Sequence, residues 1–411
     1  MVTRLFMNRF VYLIAVLLIG IVAACQPDDV KPDPVLIQSA PMASYSNAVL
    51  KTLKSPNDSL VYTPGSYNLV MQRLTYHTTL EDGTRVTASG VVYLPIQATG
   101  SQPMPLLGYQ HPTAFSDTEV PSGYDYAKPT FSYPIYFATH GYIVACPDYV
   151  GYGDASGIAH PYENRASLAH ASVDMLRATK EWLQQRTDQA NTSQASVTKI
   201  WNGQLFLAGF SEGGYATLSA QQLIEQQYAD QLTLTSTSCG SGPYAMASFF
   251  DYITHETTHS AGVVNYLYVW QTMVYNKLYN GNKPLSYYFK SPYAEQLTTS
   301  LDSARSFTVS FDQLCTDQFR ADVRNSTSTF GKALLTNDLT NWAARGKTYL
   351  IHSDEDEVIP YFISQQTCAR MQQQGANQIS LVTLKKLKHV PSEVLFMRRS
   401  LELFESMKTT K

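Results

Sequence analysis

Ser211 stands at the centre of Gly209-Phe210-Ser211-Glu212-Gly213, a G-x-S-x-G run inside the longer stretch LFLAGFSEGG. A serine hydroxyl is a poor nucleophile at neutral pH unless a base takes its proton and a third group orients that base. The five-residue pattern is weak by itself, and its context decides. An apolar run precedes it and an alanine-rich amphipathic segment follows. That is the order of strand, sharp turn and helix which lifts a nucleophilic hydroxyl clear of a sheet. Glycines two positions to either side leave room where the chain doubles back, and Gly214 lets the helix approach the strand. A rival chemistry is written at His255-Glu256-Thr257-Thr258-His259, an H-E-x-x-H pattern that can place two zinc ligands on one helix face. Its longer form needs a third ligand where this chain has Asn265, a poor donor to zinc. The two threonines also weaken the helix the motif requires. The expectation is therefore no metal at this segment, which reads as a capping or solvated turn.

Two segments after Ser211 offer acids and a base. Residues 347–353 (KTYLIHS) read as a buried strand, followed by Asp354-Glu355-Asp356-Glu357-Val358-Ile359-Pro360. Residues 379–387 (ISLVTLKKL) read as a last strand, after which Lys388-His389-Val390-Pro391 opens a loop before a closing helix from about Ser392. No histidine follows Asp356 except His389.

These pieces acquire a common frame from residues 140–153, HGYIVACPDYVGYG. This run resembles the fourth strand and following loop of the α/β-hydrolase superfamily. With the D-x-x-R-A pattern Asp174-Met175-Leu176-Arg177-Ala178 and the elbow, it is more narrowly similar to the secretory lipase (LIP-type) esterases. The resemblance covers about 70–242 and again 347 to the end. It implies the chain order serine, acid, histidine. D-E-V-I-P resembles the superfamily's acid loop, often G-x-x-D-x-x-x-P, with Ser353 where glycine is usual. The match assigns the acid to Asp356, with Asp354 as second choice, and the general base to His389. Residues 104–110 (MPLLGYQ) then His111-Pro112-Thr113-Ala114 are similar to the H-G loop that helps to form the oxyanion hole. Proline stands in place of glycine there and has no N–H to donate. The implied donors are the amides of Glu212 and Thr113. What the family implies is hydrolysis of carboxylic esters, from short acyl esters to triglycerides, with no metal or organic cofactor. Two other readings stay open: a prolyl-oligopeptidase-like serine peptidase, whose elbow also often reads G-x-S-x-G-G, and a non-enzymatic surface binding protein on the same fold.

The positioning elements follow from pattern. Two strands at 69–79 and 85–94 meet at Glu81-Asp82-Gly83, a hairpin signal. Strands and helices then alternate to Gly242, which predicts a mostly parallel, doubly wound sheet; the resemblance implies that it is an α/β-hydrolase fold. Between them, 45–242 and 346–411 form the expected core. From 243 to 345 the alternation stops and the chain becomes aromatic and helical in pattern, as suits a cap over the serine that excludes water and shapes an acyl groove.

At the N-terminus, Arg4 and Arg9 precede an apolar run from Phe10 to Ala24. It is shorter than the roughly 20 residues of a spanning helix and suits a signal peptide over 1–24. Val22-Ala23-Ala24-Cys25 resembles the lipobox of bacterial lipoproteins, which implies acylation of Cys25 and a lipid anchor in the outer membrane. The charged, proline-rich sequence after it suggests a flexible tether over 25–44. The charged fraction is 15% and the net charge −3, so nothing polycationic is offered to nucleic acid. Apolar residues make up 44% of the 411, ample for a large core. The four remaining cysteines, Cys146, Cys239, Cys315 and Cys368, allow three disulfide pairings or stay as free thiols, and sequence does not choose.

Overall fold

Apolar runs in β4 (Met104–Gln110) and β5 (Ile143–Pro147) are buried at every position. Continuous rather than alternating burial is the mark of strands covered on both faces. They lie inside a nine-stranded sheet of order β1-β2-β3-β5-β4-β6-β7-β8-β9. The other strands are β1 (Leu36–Tyr45), β2 (Asn68–Thr79), β3 (Arg85–Ile96), β6 (Trp201–Phe210), β7 (Leu234–Gly240), β8 (Thr348–Ser353) and β9 (Ile379–Leu384). Strands β1, β2 and β3 are an antiparallel meander, and β3 also runs antiparallel to β5. From β5 through β4, β6, β7, β8 and β9 every pairing is parallel. The computed structural model describes residues 33–53, 65–96, 102–126, 132–192, 200–258 and 262–409. The signal peptide and Cys25 expected from the sequence lie outside the described residues.

Parallel strands require crossovers, and the helices supply them. Helix α1 (Tyr133–Thr139) precedes β5, α2 (Arg165–Thr192) precedes β6, and α3 (Glu212–Gln227) joins β6 to β7. Helices α4 (Met246–His255), α5 (Val263–Tyr279), α6 (Tyr293–Thr299), α7 (Asp317–Arg324) and α8 (Thr329–Thr336) fall between β7 and β8. Helix α9 (Phe362–Gln373) precedes β9, and α10 (His389–Glu405) follows it. The aromatic residues of the α4–α8 segment interlock edge to face, as in Phe319 on Phe330 at 5.0 Å and Phe250 on Phe330 at 5.5 Å. This cluster is continuous with Cys239, Leu350 and Ile363 of the core, so the segment shares a core with one face of the sheet.

Two expectations need correction. Residues 36–44 are not tether: Leu36–Tyr45 pairs along β2, and Glu181 accepts the N–H groups of Val35 and Leu36. The sequence concealed this because an edge strand is held by backbone bonds and tolerates small polar residues and Pro41. The closing helix begins at His389 itself, not near Ser392, because β9 already ends at Leu384. The H-E-x-x-H segment is not one helix face. Helix α4 ends at His255 and Glu256 is extended, while His259 lies outside the described residues. His255 turns its Nδ1 to the Asp251 carbonyl at 2.9 Å. Among the described residues no cluster of three or more His, Cys, Asp or Glu is placed to hold a metal.

All four described cysteines are free and buried. Burial pushes the thiols of Cys146 and Cys239 well above their usual range, so both stay protonated and unreactive. A thiol titration of tether-free protein, that is the chain from Asp33 onward, is expected to find almost no reactive thiol in the native state and all four after unfolding. Activity is expected to be indifferent to reductant.

Candidate active site

The register of the sheet sets the elbow. Gly209 at the end of β6 pairs with Gln110 at the end of β4 and with Cys239 of β7. Strands β4 and β6 therefore release their next residues side by side at the same edge. Ser211 turns the chain with φ +58° and ψ −124°, an orientation seldom adopted by a residue with a side chain. Its N–H donates to the Gly240 carbonyl at 2.8 Å, which locks the turn to β7.

Two glycines make the approach feasible. A Cβ on Gly209 would lie 2.3 Å from the Gly213 carbonyl oxygen, and one on Gly214 would lie 2.2 Å from that of Gly240. Both obstacles are backbone and cannot swing away. Gly214→Ala is therefore expected to force α3 off β7 and cost about 1–3 kcal/mol of stability, read as a lower midpoint in chemical denaturation.

Ser211, Asp356 and His389 come together although 178 residues separate Ser211 from His389 and 33 separate Asp356 from it. His389 Nε2 is 2.9 Å from Ser211 Oγ, and its Nδ1 is 2.7 Å from Asp356 Oδ2. The imidazole is 6% exposed and packs on the Phe210 ring at 4.9 Å. The backbone N–H of His389 donates to Glu357 Oε2 at 2.9 Å, which fixes the start of α10.

Asp356 is held from several sides. Oδ1 accepts the N–H groups of Val358 and Ile359, both at 2.9 Å. Oδ2 meets a second histidine, His352, at 3.2 Å. His352 Nε2 also faces the Ile359 carbonyl at 2.9 Å, so that nitrogen carries a proton and donates, while Nδ1 accepts from Ser364 Oγ at 2.7 Å. Burial alone would raise the Asp356 carboxyl. The charge of His389 and the bonds from both imidazoles prevail and hold it far below the usual carboxylate range. Burial alone would lower His389, yet the Asp356 carboxylate, helped by Glu393 and Glu357, holds it above the ordinary histidine value.

Asp354, the second choice for the acid, is elsewhere. It binds Lys385 Nζ at 3.0 Å and the Lys386 N–H at 2.8 Å, tying β8 to the end of β9.

Glu212 is the first residue of α3 and its N–H follows the serine directly. Thr113 lies in the loop after β4, beside the elbow by register. Its hydroxyl is engaged 3.2 Å from Tyr162 Oη. The Glu212 side chain is buried and meets His160 Nε2 at 2.7 Å. Nearby, Glu393 is one helical turn beyond His389. Burial pushes its carboxyl up to about 7, against the opposing charge of His389 and a bond from Tyr133.

Sequence reasoning missed His160, His352, Glu357 and Glu393. His352 alone had a legible signal, since it stands four residues before Asp356 at the end of a strand. The others depend on contacts between distant segments.

The α5 helix of the inserted segment closes over this edge of the sheet. Trp270 stacks on Tyr162 at 4.4 Å, and Tyr266 packs on Phe115 at 5.6 Å. Phe115 is 41% exposed, and the Arg305 guanidinium covers both Phe115 and Tyr266.

A family model described as secretory lipase matches residues 134–404. The fold is similar to that of the rice cell wall degrading esterase LipA from Xanthomonas oryzae, at 24% identity and TM-score 0.76, covering 91% of this chain and 99% of that one. It is also similar to a putative hydrolase from Legionella pneumophila, at 22% identity and TM-score 0.72, covering 91% and 98%. Candida antarctica lipase A in its closed state matches at 16% identity and TM-score 0.64, covering 91% and 81%. No curated protein sequence matches the chain. The sheet with its crossover helices is the α/β-hydrolase fold, as the resemblance implies.

Proposed function

The chain belongs to the secretory lipase family, and on that premise we propose that it is a serine hydrolase of carboxylic esters using Ser211, His389 and Asp356. The observation that carries this reading is the unbroken run of contacts from Ser211 Oγ through His389 to Asp356. Ser211 Oγ attacks the ester carbonyl carbon while His389 Nε2 takes its proton. The tetrahedral oxyanion is received by the amides of Glu212 and Thr113. As the C–O bond to the alcohol breaks, His389 returns the proton to the leaving oxygen. Water, deprotonated in turn by His389, then releases the acid and frees Ser211.

Residues 243–345 act as the cap, with Phe115, Tyr266 and Trp270 at the edge it shares with the elbow. Export is in keeping with a secretory family. The finer reading is that 1–24 is cleaved and that Cys25 is acylated, anchoring the protein in a bacterial outer membrane. It is tested by incorporation of labelled palmitate, which Cys25→Ser must abolish.

The test of the chemistry is hydrolysis of p-nitrophenyl esters from acetate to palmitate by tether-free protein, with and without a metal chelator. A p-nitrophenyl phosphonate is added to trap the reactive group. Chelator-insensitive turnover, and a phosphonate adduct mapped to Ser211 by mass spectrometry, are the expected results. The chain-length optimum separates an esterase from a lipase. Folded protein with no turnover on any ester, or an adduct elsewhere, would sink the proposal.

A further inference from the structure

Between β5 and α2 lies a segment, 148–164, that is buried at both ends and exposed around Ser156. His160 is at its centre and is 7% exposed. Its Nδ1 faces the Val150 carbonyl at 2.6 Å, so Nδ1 carries a proton and donates there. Its Nε2 lies 2.7 Å from Glu212 Oε1, a hydrogen bond that requires a proton on one of the two groups. Glu212 is 1% exposed, its Oε2 has no hydrogen-bond partner among the described residues, and it is the residue whose amide follows the nucleophile.

Three tyrosines of the same segment pack their rings about the His160 imidazole: Tyr149 at 6.2 Å, Tyr152 at 4.9 Å and Tyr162 at 6.1 Å. Each then sends its hydroxyl to a different residue of the loop after β4. Tyr149 donates to the His111 carbonyl at 3.1 Å, Tyr152 to the Ala114 carbonyl, and Tyr162 meets Thr113 Oγ1 at 3.2 Å. The backbone is shaped for this convergence at some cost. Tyr149 and Glu163 both have positive φ, +69° and +52°, and a Cβ on Gly151 would stand 2.5 Å from His160 Cα.

A bland reading is available: a buried His–Glu pair and three satisfied tyrosines staple a loop to the core. It does not account for where the contacts end. One arm reaches the residue after Ser211, and the other three reach the four-residue loop that holds Thr113. We propose that His160 is a positioning residue that sets the separation of the two oxyanion amides, gripping Glu212 directly and the 111–114 loop through Tyr149, Tyr152 and Tyr162. The proposal rests on the serine-hydrolase reading given above. Oxyanion donors act only when fixed where charge develops, and loosening them weakens the transition state more than substrate binding.

The experiment compares Glu212→Ala, Glu212→Gln, His160→Asn and Tyr162→Phe in tether-free protein. For each, kcat and KM on p-nitrophenyl butyrate, the rate of phosphonylation and the melting temperature are measured. Glu212→Ala and His160→Asn are expected to lower kcat about 10- to 100-fold, with KM within about threefold and phosphonylation falling in parallel. Glu212→Gln restores a bond to the imidazole and is expected to recover most of that loss. Tyr162→Phe keeps the ring and removes the hydroxyl that meets Thr113 and also bonds the Glu163 carboxyl; it is expected to lower kcat about three- to tenfold. Tyr288→Phe removes a buried hydroxyl that binds Asn276 in the inserted segment; it should lower the melting temperature and leave kcat alone.

Loss of melting temperature without loss of kcat in the His160 and Glu212 variants would overturn the proposal. If those two fail to fold, an undiminished kcat in Tyr162→Phe would do so. Ser211→Ala is measured beside them. Turnover that survives it removes the serine-hydrolase reading itself, whereas serine-dependent turnover with unchanged kcat in the positioning variants removes only this inference.

Discussion

Ser211→Ala is expected to reduce kcat on p-nitrophenyl esters by about 10⁴- to 10⁶-fold while leaving the melting temperature within about 2 °C. The size follows from what the residue does. Without Oγ no acyl-enzyme forms, and the reaction must proceed by direct attack of water in a site whose base is aimed at an atom no longer there. The residual rate comes from the oxyanion donors and from binding alone. The small effect on stability follows from geometry. Among the described residues the polar contact of Ser211 Oγ is His389 Nε2, and its backbone is fixed independently by the bond from its N–H to the Gly240 carbonyl. Alanine removes one hydroxyl and keeps the Cβ, so it adds no new collision at this positive-φ position. Loss of turnover with retained fold, together with loss of phosphonate labelling, is the combination that a scaffold role for Ser211 could not produce. Activity within tenfold of wild type would remove Ser211 from the chemistry.

The elbow was readable because its requirements are local. A strand, two flanking glycines and a helix of small residues lie within one short window, and each serves the same turn. Asp356 and His389 were readable through the resemblance, and the exposed ties of Asp354 to Lys385 and Lys386 explain why it is not the residue beside His389. The central strands β4 and β5 announced themselves by nearly continuous apolar runs. Strand β1 did not, because backbone pairing at an edge leaves little trace in side-chain pattern. His160 and His352 escaped for a different reason. Each sits in an unremarkable stretch of sequence, and its meaning comes from a carboxylate on another element, Glu212 on α3 for the first and Asp356 beyond β8 for the second. The H-E-x-x-H pattern is the converse case, a spacing that suggests chemistry where the local structure does not support it. Its spacing is helical only while a helix lasts, and α4 stops at its first residue.

Asp356→Asn is expected to lower kcat by roughly 10⁴-fold with a smaller change in KM, and the bonding of Asp356 dictates why. Oδ1 accepts two backbone N–H groups, from Val358 and Ile359, so an asparagine carbonyl is held at that position. Its NH₂ must then occupy the place of Oδ2, facing His389 Nδ1 and the donating Nε2 of His352. Two donors cannot bond, so His389 is driven to the tautomer with its proton on Nε2, where it cannot accept one from Ser211. The pH dependence carries the same signature. In the native protein His389 is held above the ordinary value of about 6.5, so activity falls as pH drops through that raised value and the base becomes protonated. Removing the Asp356 charge moves this acid limb to lower pH, only part of the way, because Glu393 and Glu357 still favour the imidazolium.

Stability provides an independent check with opposite signs for the two partners. The Asp356 carboxyl is depressed on folding, so its contribution is present above the unfolded value of about 3.9 and is lost as pH falls through the lower folded value. The His389 imidazole is raised on folding, so its contribution is present below about 6.5 and is lost as pH rises through the folded value. Both contributions are complete between about pH 4 and 6.5, and there the melting temperature of Asp356→Asn should fall furthest below wild type. Asp354→Asn, which loses only exposed contacts to Lys385 and Lys386, should keep kcat within about twofold and leave the acid limb where it is. A variant pair that reversed this order would transfer the orienting role from Asp356 to Asp354.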